Sequence, residues 1–211
     1  MTADEVAAAV AEGAVVLDLR APRSFAREHL PGALTMQFNR ADLADRAELV
    51  LPRDVPLVVH AEPEPIARVA AELLAGAGFR VAGTLEGGIA AWKAAGRPTA
   101  ELPLLDVDEL HAQLDALEVL DVREPFEFRH GHIAGARPLP STEAWGRLDE
   151  VPADRPIAVV CGDQTRSAAV ASMLQRAGRD ARLVMGGMVD WLERGYPVER
   201  EPARVRTPTV E

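Results

Sequence analysis

"DVREPFEFRHGHIAGA", residues 121–136, repeats "DLRAPRSFAREHLPGA", residues 18–33. Seven of the 16 positions agree (Asp, Arg, Pro, Phe, His, Gly and Ala), at a spacing of 103 residues. Further along, "MGGMVDWLERGYP" (185–197) lies over "EGGIAAWKAAGRP" (86–98) at a spacing of 99, sharing Gly-Gly, Trp, Gly and Pro. Two matched segments at nearly equal spacing indicate a tandem duplication of a unit about 100 residues long. The seam falls near "GRPTAELPLLD" (96–106), where two prolines interrupt any periodic pattern. The copies are therefore expected at 1–99 and 104–200. The polar tail "EREPARVRTPTVE" (199–211) is expected to fray and shows no evident chemistry.

Each copy alternates short apolar runs with helical patterns. In the first, "ADEVAAAVAEG", "PIARVAAELLAGAG" and "GIAAWKAAG" read as helices, and "AVVLDLR", "PLVVHA" and "RVAGTLEGG" carry strands. The second runs "DVDELHAQLDAL", "EVLDVR", "PIAVVC", "RSAAVASMLQRAG", "ARLVMGG" and "MVDWLERG". This alternation implies an α/β fold: two tandem domains, each a central, mostly parallel sheet flanked by helices. Ligands of such sheets bind beyond the carboxyl ends of the strands.

The chain has 211 residues, 48% of them hydrophobic, enough for a proper core. Its formal charge of −10 argues against nucleic acid or an anionic membrane as partner. The single cysteine excludes an intrachain disulfide and a multi-cysteine zinc site. The "HGH" at 130–132 is too weak for a metal site, and no cofactor is implied. The N-terminus reads as a helix and a strand rather than a signal peptide, and no apolar run reaches membrane-spanning length. These features point to a cytoplasmic protein.

That one cysteine, Cys161, ends the run "PIAVVC" and opens the polar stretch "CGDQTRS" (161–167) just before a helix. A strand that turns straight into a helix aims several backbone N–H groups at one point. The helix start at Thr165–Ser167 adds the positive end of its dipole. A thiol at that focus is expected to ionise readily, and the thiolate is the reactive form.

"VLDVREPFEFRHGHIAGARPLP" (119–140) closely resembles the N-terminal signature of the rhodanese family, and "MGGMVDW" (185–191) its C-terminal one. The first copy carries both as "VLDLRAPRSFAREHLPGAL" and "LEGGIAAW", so the resemblance covers nearly the whole chain as two rhodanese-like domains. "CGDQTRS" occupies the place of the family's active-site loop. The resemblance implies that Cys161 carries sulfur as a persulfide. Arg166, a forked and permanent cation, is the natural anion partner. Gly162, Asp163, Gln164, Thr165 and Ser167 complete the loop. The family also places an arginine at Arg123 near the substrate; the alternative there is an ion pair with Asp121. Gln164 stands where many members have glycine, which raises the question of a positive φ. Asp163 puts negative charge where anionic thiosulfate approaches.

Four residues separate Cys161 from Arg166. Related phosphatases have five, so the shorter loop favours a sulfur atom over a phosphoryl or arsenate group. In the first copy Cys161 aligns with His60, Arg166 falls near Pro65, and Glu62 and Glu64 add charge, so that copy reads as having lost the chemistry. Features common to both copies default to structure: Asp18 and Asp121, Arg20 and Arg123, His29 and His132, Trp92 and Trp191. The expected function is a sulfurtransferase, moving sulfane sulfur from a small donor such as thiosulfate to a thiol or cyanide acceptor. The alternative is a sulfur-carrier or regulatory module loaded by a partner protein.

Overall fold

The computed structural model describes residues 1–200, so all but Glu199 and Arg200 of the polar tail lies outside the described residues. The first copy runs α1 (Ala3–Ala11), β1 (Val15–Asp18), α2 (Pro22–Arg27), β2 (Leu34–Thr35), α3 (Leu43–Val50), β3 (Leu57–His60), α4 (Glu64–Gly76), β4 (Val81–Thr84) and α5 (Gly88–Ala94). The second runs β5 (Leu104–Leu105), α6 (Val107–Ala112), β6 (Glu118–Asp121), α7 (Pro125–His130), β7 (Arg137–Pro138), β8 (Ile157–Val160), α8 (Thr165–Arg176), β9 (Ala181–Val184) and α9 (Gly187–Glu193). In place of α3 it has two 3-10 turns, Ala144–Gly146 and Leu148–Glu150.

Every pairing within the two sheets is parallel. The strand orders are β2-β1-β3-β4 and β5-β9-β8-β6-β7. The central strands β1, β3, β6 and β8 are buried at every position, which is why they read as mostly apolar runs. The short edge strands β2, β5 and β7 left no legible pattern, because two residues cannot show a period.

The sheet register corrects the alignment of the copies. Asp18 pairs with His60, but Asp121 pairs with Val160. His60 is thus the counterpart of Val160, and Cys161 stands where the first copy has Ala61. Prolines 56 and 156 open the two strands at the same spacing of 100.

The repeated signature is a pair of buried polar devices. Arg123 grips Asp121 through Nε and Nη2, the latter at 2.6 Å, and Nη2 also donates to Gly131 O at 2.8 Å. Arg20 treats Asp18 and Glu28 O identically, at 2.6 and 2.7 Å. Both pairs are buried. His132 donates Nδ1–H to Phe128 O at 2.9 Å and stacks on the Phe128 ring at 3.7 Å; His29 does the same with Phe25. The indole N–H groups of Trp92 and Trp191 reach Pro98 O and Pro197 O. Glu199 is tied back by a bridge to His132.

Helix α8 joins the two copies. It is buried at every position from Ser167 to Leu174, the pattern of a helix enclosed on all sides. Ala168, Ala169, Ala171 and Ser172 keep it slim enough to lie against β2, the edge of the first sheet. Ser172 Oγ accepts the N–H of Thr35 at 3.1 Å, and Arg176 Nη1 donates to Gly32 O at 2.8 Å. Gln175 bonds His29 Nε2 at 2.9 Å and Glu101 O at 2.6 Å. One apolar cluster therefore runs from Val6 in the first copy through Cys161 to Leu183 in the second.

Removing one partner of a buried, hydrogen-bonded pair leaves the other charge uncompensated, at a cost of about 3–5 kcal/mol. Asp121→Ala and Asp18→Ala are each expected to lose about that much in denaturant unfolding, while Glu48→Ala, whose exposed pair with Arg53 is solvated, shifts it by under about 1 kcal/mol.

Candidate active site

Strand β8 delivers Cys161 to the carboxyl edge of the second sheet, and α8 begins four residues later. The thiol is fully buried. Its Sγ lies 3.3 Å from Ser167 Oγ and 3.7 Å from Asp163 Oδ1, either of which can accept the S–H proton. The loop between is a tight turn built on Asp163. Oδ1 accepts the N–H groups of Gln164 and Thr165 at 2.6 and 2.7 Å, and Oδ2 accepts the Thr165 hydroxyl at 2.9 Å. Asp163 thereby fixes the turn that leads into α8 through its side chain.

The other wall of the loop is the second Gly-Gly pair. Gly186 and Gly187 both have positive φ, +75° and +56°. A Cβ on Gly187 would stand 2.9 Å from Gly162 O and closer still to the carbonyls of Cys161 and Asp163. Glycine lets α9 press its first amides onto the loop: Met188 N–H donates to Cys161 O at 2.8 Å, and Val189 N–H to Gly162 O at 2.9 Å. Gln164 adds a longer bond, its Oε1 accepting Gly186 N–H at 3.4 Å.

Three expectations change. First, Cys161 is not an easily ionised thiol in this state: burial, followed by the charge of Asp163, pushes its pKa above the ordinary value. The Ser167 hydroxyl and the N–H groups of Ser167 and Arg166 oppose that shift without overcoming it. The amides of Gln164 and Thr165, expected to face the sulfur, are taken by Asp163. Second, Arg166 does not point a free guanidinium at the sulfur. It forms a two-pronged ion pair with Glu127, Nη1–Oε2 at 2.6 Å and Nη2–Oε1 at 2.8 Å, and that bond chiefly raises its pKa. Third, Arg123 forms the ion pair with Asp121 that was the alternative reading, and also donates to Gly131 O. Gln164, with φ −150°, needs no left-handed backbone, so glycine's freedom is not required there.

Glu127 was overlooked, although a signal existed. Its counterpart in the first copy is Ser24, so it belongs with Cys161 and Arg166 among the residues peculiar to the second copy. Its Oε2 also accepts Glu124 N–H at 3.1 Å, closing the first turn of α7. The Arg166 bond, outweighing partial burial, holds its carboxyl below the usual range. A cavity of roughly 210 Å³ adjoins the loop between the copies. Met36, Leu49 and Val50 line it from the first copy, and Thr165, Arg166 and Ala169 from α8. Cys161 itself does not reach it. In the first copy, His60 is buried with neither ring nitrogen hydrogen-bonded, 3.9 Å from Glu62, and burial lowers its pKa.

Among the described residues no group of three or more His, Cys, Asp or Glu side chains is placed to hold a metal ion, and no helix is long and apolar enough to cross a membrane. The rhodanese-like domain model matches residues 2–95 and again 106–194, and the chain belongs to that family. Over 88 residues it is 34% identical to the uncharacterised protein YqhL of Bacillus subtilis, covering 41% of this chain and 70% of that one. A sulfurtransferase of Allochromatium vinosum is 32% identical over 98 residues, 44% of this chain and 92% of its own. The thiosulfate sulfurtransferase GlpE of Ectopseudomonas mendocina is 37% identical over 83 residues, 39% and 72%. These relatives place the chain among the sulfurtransferase-like rhodaneses.

Two outcomes follow from this geometry. Gly187→Ala forces α9 off the carbonyls of the loop and is expected to destabilise the fold by about 1–3 kcal/mol in denaturant unfolding, a larger loss than Gly146→Ala, where an added Cβ meets nothing. Because burial and Asp163 raise the Cys161 pKa, the thiolate fraction at neutral pH is below that of a free cysteine. The iodoacetamide reaction rate should rise with pH to a midpoint above that of the same protein unfolded in urea; a midpoint below it contradicts the stated balance.

Proposed function

We propose that this protein transfers sulfane sulfur from a donor such as thiosulfate to a thiophilic acceptor, with Cys161 as the nucleophile that carries it as a persulfide. The reading rests on one contrast between the copies. Cys161 lies at a strand end beside the N–H groups of Arg166 and Ser167. The first copy has Ala61 at that position, followed by Pro63 and Pro65, which have no N–H to offer. The division at residues 1–99 and 104–200, with a first domain that has lost the chemistry, belongs to the same reading.

In the forward step the Cys161 thiolate forms a bond to the outer sulfur of the donor. The donor's S–S bond breaks and its electron pair leaves with the departing group, sulfite when the donor is thiosulfate. An acceptor, cyanide in an assay or a thiol in the cell, then attacks the outer persulfide sulfur and regenerates the thiolate. No external oxidant or reductant enters. The N–H groups of Arg166 and Ser167 supply the stabilisation of the anionic sulfur. Ser167 holds the side chain in place, and the Gly162–Thr165 turn fixes the rim.

A second reading has a specific observation behind it. Asp163 occupies two loop amides and Glu127 neutralises Arg166, which leaves no free cation on the loop to hold a dianionic donor. That favours a carrier loaded by a persulfide, from a small thiol or a partner protein. Phosphate or arsenate chemistry is disfavoured for the same reason, since Arg166 is not offered to an oxyanion.

Incubating the purified protein with thiosulfate or cysteine hydropersulfide should add the mass of one sulfur atom, removed on adding cyanide with formation of thiocyanate. Cys161→Ala is expected to abolish both signals. Undiminished thiocyanate from that variant overturns the reading.

A further inference from the structure

The carboxylate of Asp163 stands beside the sulfur. Oδ1 lies 3.7 Å from Cys161 Sγ. The carboxylate is fixed there by the N–H groups of Gln164 and Thr165 and the hydroxyl of Thr165. Burial works against its ionisation, but those three bonds prevail and hold its pKa below the ordinary carboxylate value. The one cation of the loop, Arg166, is matched by Glu127. Asp163 therefore stands beside the thiol as an unbalanced negative charge and fills the position that an anion would take on the loop amides.

Resting on the sulfur-transfer reading, we propose that Asp163 is a specificity-determining residue that turns Cys161 away from dianionic sulfur donors and toward the outer sulfur of a hydropersulfide, R–S–SH, which brings less negative charge to the loop. With thiosulfate, a dianion must approach a thiolate already flanked by a carboxylate, and it finds the Gln164 and Thr165 amides occupied. With a hydropersulfide, the Cys161 thiolate attacks the outer sulfur, the donor's S–S bond breaks, and its electron pair leaves on R–S⁻. The proton stays with the transferred sulfur. No dianion is brought to the loop, and no displacement of Asp163 from its amides is needed to hold the donor.

Asp163→Asn removes the charge but keeps an oxygen for the two amides, and Asp163→Ser keeps a hydroxyl in the same place. Loading of Cys161 is followed by intact mass in the wild type and both variants. The donors are thiosulfate, cysteine hydropersulfide and a persulfidated cysteine desulfurase, each at low and high salt. The quantity read is the ratio of thiosulfate to hydropersulfide loading rates. It should rise about tenfold or more in both neutral variants, and the gain of thiosulfate loading with added salt, present in the wild type, should shrink in them. A purely structural role for Asp163 moves all donors together and leaves the ratio alone. An unchanged ratio in a folded variant overturns this inference while leaving sulfur transfer intact. Loading by no donor in any form overturns the sulfur-transfer reading and this inference with it. Loading of the wild type by the small hydropersulfide, or only by the desulfurase, identifies which source of the same chemistry the protein uses.

Discussion

The structure depends on the enclosure of helix α8. An edge strand presents N–H groups that need partners, and the edge strand β2 of the first copy finds one of them outside its own domain. Ser172 supplies the oxygen for Thr35 N–H, and Gln175 and Arg176 continue the contact to His29, Glu101 and Gly32. Large side chains along Ala168–Ser172 would hold the helix away from that strand. The same helix begins at the cysteine loop, so its first turn sets where the amides of Arg166 and Ser167 point. Packing between the copies and the geometry of the thiol are therefore one constraint. The two domains are not independent beads on a chain.

At the strand ends, the charges sort into self-contained pairs. Asp121 with Arg123, and Asp18 with Arg20, satisfy each other within two residues of sequence and lend no net charge to the space beyond. Glu127 does the same for Arg166 across 39 residues. What remains at the thiol is Asp163 and a few N–H dipoles. In water such a difference is slight, but near a buried group a charge a few ångströms away is felt at an effective dielectric of about 20. Burial and Asp163 thus hold the resting sulfur as a thiol, and the amides of Arg166 and Ser167 favour the anion once it forms.

How much of this was legible in the sequence varied with the physics involved. The duplication, the parallel sheets and the buried strands stood out, because burial on both faces of a strand favours mostly apolar runs. The signature polar residues were read as structural by comparing the copies, and the Asp–Arg pairs and the His–Phe stacks bear the reason. Sequence spacing alone misjudged the alignment at Cys161 by one residue, since neighbouring apolar positions look alike until the hydrogen-bond register is known. The side-chain partners of Arg166 and Asp163 were illegible for a different reason. Whether a guanidinium faces a ligand or Glu127, and whether a loop amide faces a sulfur or a neighbouring carboxylate, depends on side-chain partners that no linear pattern records. Even so, Glu127 against Ser24 was a difference between the copies that pointed to the right place.

The same comparison explains why a copy without the thiol retains its whole scaffold. Where the second copy has 3-10 turns after β7, the first has the full helix α3, and Leu49 and Val50 at its end line the cavity beside Thr165 and Arg166. Deleting the first copy would uncover α8 along Ala168–Ser172 and open that cavity to water. Retaining it while dropping the cysteine costs nothing in packing, because Ala61 fills the position within the apolar cluster. Absence of the thiol from one loop and the contacts that seat α8 are therefore compatible, because residues 61–65 lie apart from β2, which α8 packs against. The first copy acts on the thiol through the helix it holds and the wall it provides.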